Sequence, residues 1–128
     1  MKSNKKSSVI VPVYNEEDNI KKVLNEIKNI SNEIIIINDG SEDNSLRKML
    51  NFKKNNRNLS IKIISHEKNQ GYIKSIYEGG RKASHEIIIT IDSDDQHYIS
   101  DIKKMKNLYN NSNQIIIGVR DRLSRLGE

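Results

Sequence analysis

The sequence predicts an α/β fold: a mostly parallel sheet with helices on both faces, built from alternating β-α-β units. Three observations carry that expectation. Short apolar runs rich in β-branched residues, SVIVPVY (8–14), EIIIIND (33–39), SIKIIS (60–65), EIIITID (86–92) and QIIIGV (114–119), recur along the chain, as strands buried on both faces do. Polar segments of helical periodicity separate them, and that alternation specifies parallel strands joined by helical crossovers. Three of the runs also end in polar clusters, PVYNEE, NDGSEDNS and DSDDQH. In open sheets of this kind ligands bind outside the strands' carboxyl ends, where the strand order reverses, so an order 3-2-1-4 would bring these clusters to one crevice.

The first run, 8–14, contains Pro12, which cannot donate to a ladder and marks the point where pairing stops. In the segment that follows, Asn15 or Glu16 reads as a helix cap; alternatively Tyr14 and Glu16 line a nucleotide pocket. Ile20, Val23, Leu24, Ile27 and Ile30 then recur at three- and four-residue steps and form one apolar stripe.

The second run, 33–39, leads into turn-forming residues, with Ser41 or Asp43 placed to cap the next helix. The competing reading has Asp39 accepting hydrogen bonds from a base or ribose and Gly40 letting the backbone come close. Leu46, Met49 and Leu50 give the second helix a weaker stripe.

After the third run, 60–65, NQGYIKSIYEGGRKA begins with Gly71, where a phosphate would reach free helix amides. The stretch has neither GxGxxG nor GxxxxGK[ST], so a dinucleotide fingerprint and a P-loop are both absent. Ile73, Ile76, Tyr77 and Ala83 form the expected stripe, Gly79 and Gly80 end or loosen the helix, and Lys74 and Arg81 read as surface charges.

The fourth run, 86–92, ends in Asp92, Asp94 and Asp95, followed by Gln96 and His97. Two carboxylates at i, i+2 on a chain leaving a strand can approach one divalent cation, and hard oxygen ligands favour Mg²⁺ or Mn²⁺. Gln96 would add an oxygen and His97 a nitrogen. The plainer reading is a helix N-terminus whose acids complement the dipole. Ile99, Ile102, Met105 and Leu108 mark that helix. His66 and His85 stand apart from other ligand types and read as structural or surface residues.

With 128 residues the chain has room for one domain and one core. A hydrophobic share of 34% beside a charged share of 30% is low, but its bunching into periodic segments argues against disorder. The net charge of +5 suits an anionic partner. One Phe and no Trp leave no aromatic basic strand for stacking bases, which disfavours single-stranded nucleic acid. The absence of cysteine excludes disulfides and thiolate zinc sites. No apolar run approaches the roughly 18 residues of a membrane span and none follows the basic start as a signal core, so the expected location is cytoplasmic, with peripheral association at the inner face of a membrane as an option. No GxSxG elbow supports a hydrolase. A receiver-like domain would need an isolated acceptor Asp after the third strand, where this chain has Ser65 and His66.

VIVPVYNEEDNI, IIIINDGSEDNS, NQGY, IIITIDSDDQHYISDI and IIIGVR, in that order, resemble the nucleotide-binding half of family 2 glycosyltransferases. The resemblance is nearest to the dolichol- and polyprenyl-phosphate mannosyl- and glucosyltransferases and runs from about residue 7 to residue 122. It implies a GT-A (Rossmann-like) fold over residues 8–122, between a basic N-terminal tail (1–7) and a C-terminal tail (123–128). It also implies inverting transfer of a sugar from a UDP- or GDP-sugar to a lipid phosphate or a glycan. Carried over by position, Pro12, Tyr14 and Glu16 contact the nucleoside and Asp39 the base; Gly40 and Gly71, read above from the residues, join them as expected substrate-binding positions. Asp92 lies by ribose and metal, Asp94 and Gln96 hold Mg²⁺ or Mn²⁺ at the diphosphate, and Arg120 faces phosphate. Asn38 stands where the family usually has a first Asp, and Ser93 and Asp95 replace small and neutral residues. Relatives continue into an acceptor-binding part, so the chain reads as truncated, and a non-catalytic nucleotide-sugar-binding module is the alternative.

Overall fold

The computed structural model describes residues 6–94 and 99–109. The elements follow the order β1 (Ser7–Val13), α1 (Ile20–Ile27), β2 (Glu33–Asp39), α2 (Ser45–Asn55), β3 (Ile61–His66), α3 (Tyr72–Lys82), β4 (Ile87–Thr90) and α4 (Ile99–Leu108). The predicted fifth strand, 114–119, lies outside the described residues. β1 opens at Ser7, which is fully buried and one residue before the expected start of the domain.

The four strands pair in parallel in the order β3-β2-β1-β4. Central β1 and β2 are buried on both faces, which explains their unbroken apolar runs. Val9, Val11, Val13, Ile34 and Ile36 face one layer, where they join Ile20, Val23, Leu24 and Ile27 of α1, Met49 and Phe52 of α2 and Ile102 of α4. Ile10, Ile35 and Ile37, the alternate positions, face the other layer with Ile64, Ile76 and Ala83. Each fully buried isoleucine contributes about 2 kcal/mol of apolar transfer free energy. The chain runs from β1 outward to β3 with α1 and α2 on one face, then crosses back over the other face through α3 to β4. Right-handed crossovers require that change of face.

The α1 stripe is buried as expected. Elsewhere the periodicity holds only in part, with Met49, Ile76, Ala83 and Ile102 on the core as expected. In α2, Leu50 is exposed and Phe52 takes the core position. In α3, Ile73 and Tyr77 are 79% and 63% exposed, and the buried face is Ser75 and Gly79. The helix sits so close to the sheet that a Cβ on Gly79 would lie 2.5 Å from Ile10 Cγ2, so small residues mark its closest approach, with Ile76 and Ala83 of the expected stripe packed partly buried beside them. Gly79 therefore lies within α3 and does not end it.

Candidate functional site

The reversal of strand order between β1 and its two neighbours places the carboxyl ends of β1, β2 and β4 side by side. Pro12 keeps its place in the β1–β2 ladder opposite Ile37, whereas β1–β4 pairing stops at Ile10 and Thr90. Pairing thus stops short of Pro12 on one side only, where its carbonyl accepts the Ser93 hydroxyl at 3.0 Å. Ser93 is buried at 5%, and Asp92 and Asp94 flank it as exposed residues. Ser93 thus anchors this turn inward and leaves an exposed carboxylate on either side of it, the residue type that hard divalent cations take as ligands. Among the described residues no group of three or more His, Cys, Asp or Glu is gathered for a metal. Asp95, Gln96, His97 and Arg120 lie outside the described residues.

Tyr72, which opens α3, is a member of this end of the sheet that the sequence did not point out. Its phenol lies beside the Asp92 carboxylate and the Thr90 hydroxyl. Burial, then the charge of Asp92, push its pKa up.

The loops after β1 and β2 are laced together. Asn15, at φ 53, a left-handed conformation that Asn tolerates, donates its amide to Ser41 Oγ at 3.0 Å and accepts the Glu42 amide on Oδ1 at 2.8 Å. The Glu16 amide donates to Ser45 Oγ at 2.9 Å, and the Glu17 amide to Asp43 Oδ2 at 3.1 Å. Asp43 Oδ1 accepts the Ser45 amide at 2.9 Å. Neither Asn15 nor Glu16 caps α1 through its side chain; the N-cap position is Asn19, without a side-chain cap. Burial opposes the ionised form of Asp43, but the Ser45 hydroxyl and amide and the Glu17 amide outweigh it and lower its pKa. Asp43→Ala should therefore loosen both loops at once and cost about 1–2 kcal/mol, read as a fall in urea midpoint at unchanged m-value.

Asp39, at the end of β2, is only 4% exposed. Its Oδ1 accepts the Gln70 amide at 2.7 Å and His66 Nδ1 at 2.8 Å, and its Oδ2 accepts the Gly71 amide at 3.0 Å. Burial alone would raise this carboxyl, yet the Gln70 amide, His66 and the Gly71 amide together hold it below the ordinary range. The chain that comes close at Gly40 is the protein's own, since a Cβ there would lie 2.5 Å from Asn69 N. The far nitrogen of His66 faces Glu78 Oε2 at 2.7 Å, so this histidine joins two carboxylates and is not isolated. Its signal in the sequence was the alternation of β3, which puts it on the same face as Ile64. Tyr14 is 48% exposed at the crevice rim and Glu16 is half-buried.

Among the described residues no helix is long and apolar enough to cross a membrane. Comparison with known proteins agrees with this architecture. The family model "Glycosyl transferase family 2" matches residues 8–125. A UDP-N-acetylglucosamine–dolichyl-phosphate N-acetylglucosaminyltransferase of Methanococcus voltae is 35% identical over 88% of this chain and 51% of its own length. A dolichol-phosphate mannosyltransferase of Pyrococcus furiosus is 29% identical over 90% of this chain and 33% of its own length. A mannosyltransferase of Pyrobaculum calidifontis, solved with GDP-Man and Mn²⁺, shares the fold with a TM-score of 0.67 at 22% identity, over 72% of this chain and 28% of that one. The chain thus spans about half or less of the length of these relatives. A GT-A sheet ending in these motifs, with nearly its whole length matched, makes the chain a member of glycosyl transferase family 2.

Proposed function

We propose that this chain is the donor-binding half of an inverting, metal-dependent glycosyltransferase that takes a UDP- or GDP-sugar and serves a polyprenyl phosphate or a glycan as acceptor. The observation that carries the reading is the convergence of Tyr14, Asp39, the Gly71 amide, Asp92 and Asp94 at one end of the sheet. Pro12, Tyr14 and Glu16 would border the nucleoside. Asp39, Gly40 and Gly71 would form the floor, any contact of Asp39 with a base using the acceptor capacity that its three protein donors leave. Asp92 and Asp94, with Gln96, would hold Mg²⁺ or Mn²⁺. Such an ion, when bound, supplies positive charge where negative charge develops on the leaving diphosphate. Arg120 is assigned to the same phosphate region. Tyr72 would border Asp92 with its hydroxyl. A lipid-phosphate acceptor is already an anion and needs no general base, whereas a hydroxyl acceptor does. A lipid acceptor would also bring the domain to a membrane surface peripherally.

The test is calorimetric titration of GDP and UDP with Mn²⁺ and with EDTA, in the wild type and in Asp94→Ala. One nucleotide should bind in a metal-dependent way and lose about tenfold or more in affinity in the variant. Absence of binding by the folded protein overturns the reading. The second reading is a nucleotide-sugar-binding module without catalysis. Sugar transfer or donor hydrolysis by this chain would remove it.

A further inference from the structure

The row Asp39, His66 and Glu78 crosses from the end of β2 through the end of β3 to the middle of α3. The side chains of Asp39 and His66 are each 6% exposed and that of Glu78 is 29% exposed. Both ring nitrogens of His66 face carboxylate oxygens, at 2.8 and 2.7 Å. An ionised carboxylate only accepts, and a neutral imidazole has a single N–H, so only the doubly protonated ring donates to both partners. The charged groups that face the ring are Asp39 from β2 and Glu78 from α3; Glu67 and Lys68, next along its own chain, are exposed.

The row fastens α3 in two places. Glu78 is held on the helix itself, and the Gln70 and Gly71 amides at its start are held through Asp39. The first residue of that helix, Tyr72, has its phenol beside Asp92. We propose that His66 is a positioning residue: as an imidazolium it latches α3 to the end of β2, keeping the Gly71 amide and the Tyr72 hydroxyl in place at the crevice, and loss of its proton opens the latch at Glu78. Glu78 is the partner that yields, because it is the more exposed, while Asp39 keeps two backbone donors.

The bond to Glu78, then that to Asp39, raise the ring above its ordinary value of 6.5 against the opposing effect of burial. The sign follows: the latch is complete below the ordinary value and is lost as pH rises through the raised one. Its consequence for ligand rests on reading the crevice as a nucleotide site, while the latch itself does not.

The experiment is an NMR pH titration of the histidine ring signals and of the Gly71, Tyr72 and Glu78 amides, from pH 5.5 to 9. His66→Gln identifies the His66 ring signal among the three histidines by its loss. The ring should titrate above 6.5, with the three amides shifting at the same midpoint. Glu78→Gln should lower that midpoint, which a merely packed histidine would not show, and it carries the test should His66→Gln fail to fold. With Mn²⁺ present, affinity for GDP or UDP should fall about fivefold across the midpoint, and the step should vanish in His66→Gln. A ring that titrates at or below its ordinary value, or amides that do not move with it, overturns the latch. A latch that titrates in a protein that binds neither nucleotide upholds the latch and fails the donor reading. Affinity that stays level across the midpoint overturns the positioning role and leaves the donor reading intact.

Discussion

Glu33→Ala is expected to cost about 3 kcal/mol of folding stability, measured as a shift in urea midpoint at constant m-value. Glu33 opens β2 and is only 3% exposed, at the end of the sheet opposite the crevice. Its Oε1 accepts the Ser8 hydroxyl and the Ser84 amide, each at 2.8 Å, and its Oε2 accepts the Ser84 hydroxyl at 2.8 Å and Lys62 Nζ at 3.0 Å. One carboxylate thereby ties β1, β2, β3 and the α3–β4 turn. Removing it leaves the hydroxyl of the fully buried Ser8 unpaired, and that carries more of the loss than Ser84, which is exposed, or Lys62, which is 44% exposed. Burial opposes the charge, but the Ser84 amide and the Ser8, Lys62 and Ser84 side chains bring its pKa down from 4.5 to about 2. A depressed carboxylate contributes its stability above its unfolded value and loses it as pH falls through the folded one. The wild type should therefore lose about 3 kcal/mol from this group between pH 4.5 and 2. Glu33→Gln should start lower and show a correspondingly flatter profile over that window. Equal slopes for the two proteins would show that Glu33 is not held as the geometry indicates.

The ionic staple at Glu33 was invisible in the sequence because its partners, Ser8, Lys62 and Ser84, are scattered along the chain and each is an ordinary surface residue type. What was legible followed from periodicity. A run of four isoleucines at 34–37 has no alternative but burial on both sides of a sheet, and two such strands fix the layers. The α1 stripe was legible for the same reason. The α3 stripe was legible only in part: Ile76 and Ala83 pack on the core, but close packing against Ile10 selects Ser75 and Gly79 where Ile73 and Tyr77 were expected, and hydropathy gives such small residues little weight. The site divides in the same way. Asp92 and Asp94 announced themselves as acids at a strand's end. The role of Asp39 as acceptor for the Gln70 and Gly71 amides depends on a turn 31 and 32 residues further along and could only be seen once β3 was placed beside β2.

Gly40→Ala should be at least as damaging as the loss of Glu33, and for a reason that reaches the crevice. Gly40 has φ 77, in the left-handed region, and an added Cβ would stand 2.5 Å from Asn69 N and 2.6 Å from Lys68 C. Those are backbone atoms, so no rotamer change relieves the overlap. The β3–α3 turn must move away from β2, against the Asn69 side-chain bond to the Asp39 carbonyl at 3.2 Å and the Gln70 and Gly71 amide bonds to the Asp39 carboxylate. Backbone strain of about 1 kcal/mol and overpacking of about 2–3 kcal/mol add to roughly 3–4 kcal/mol. Gly71→Ala is the matched control. Gly71 also has a positive φ, 98, but nothing lies within 4 Å of its added Cβ, so strain alone acts, at about 1–2 kcal/mol. Denaturant unfolding of the two variants separates conformation from contact. Hydrogen exchange adds the functional half: the Gln70 and Gly71 amides should lose protection in Gly40→Ala even under conditions where the sheet amides keep theirs. Equal losses in the two variants would mean that strain alone is at work and that the turn is not pressed against Gly40. A larger loss at Gly40, with exchange confined to the turn, would mean that the close approach of two backbones fixes the amides with which Asp39 builds the floor of the crevice.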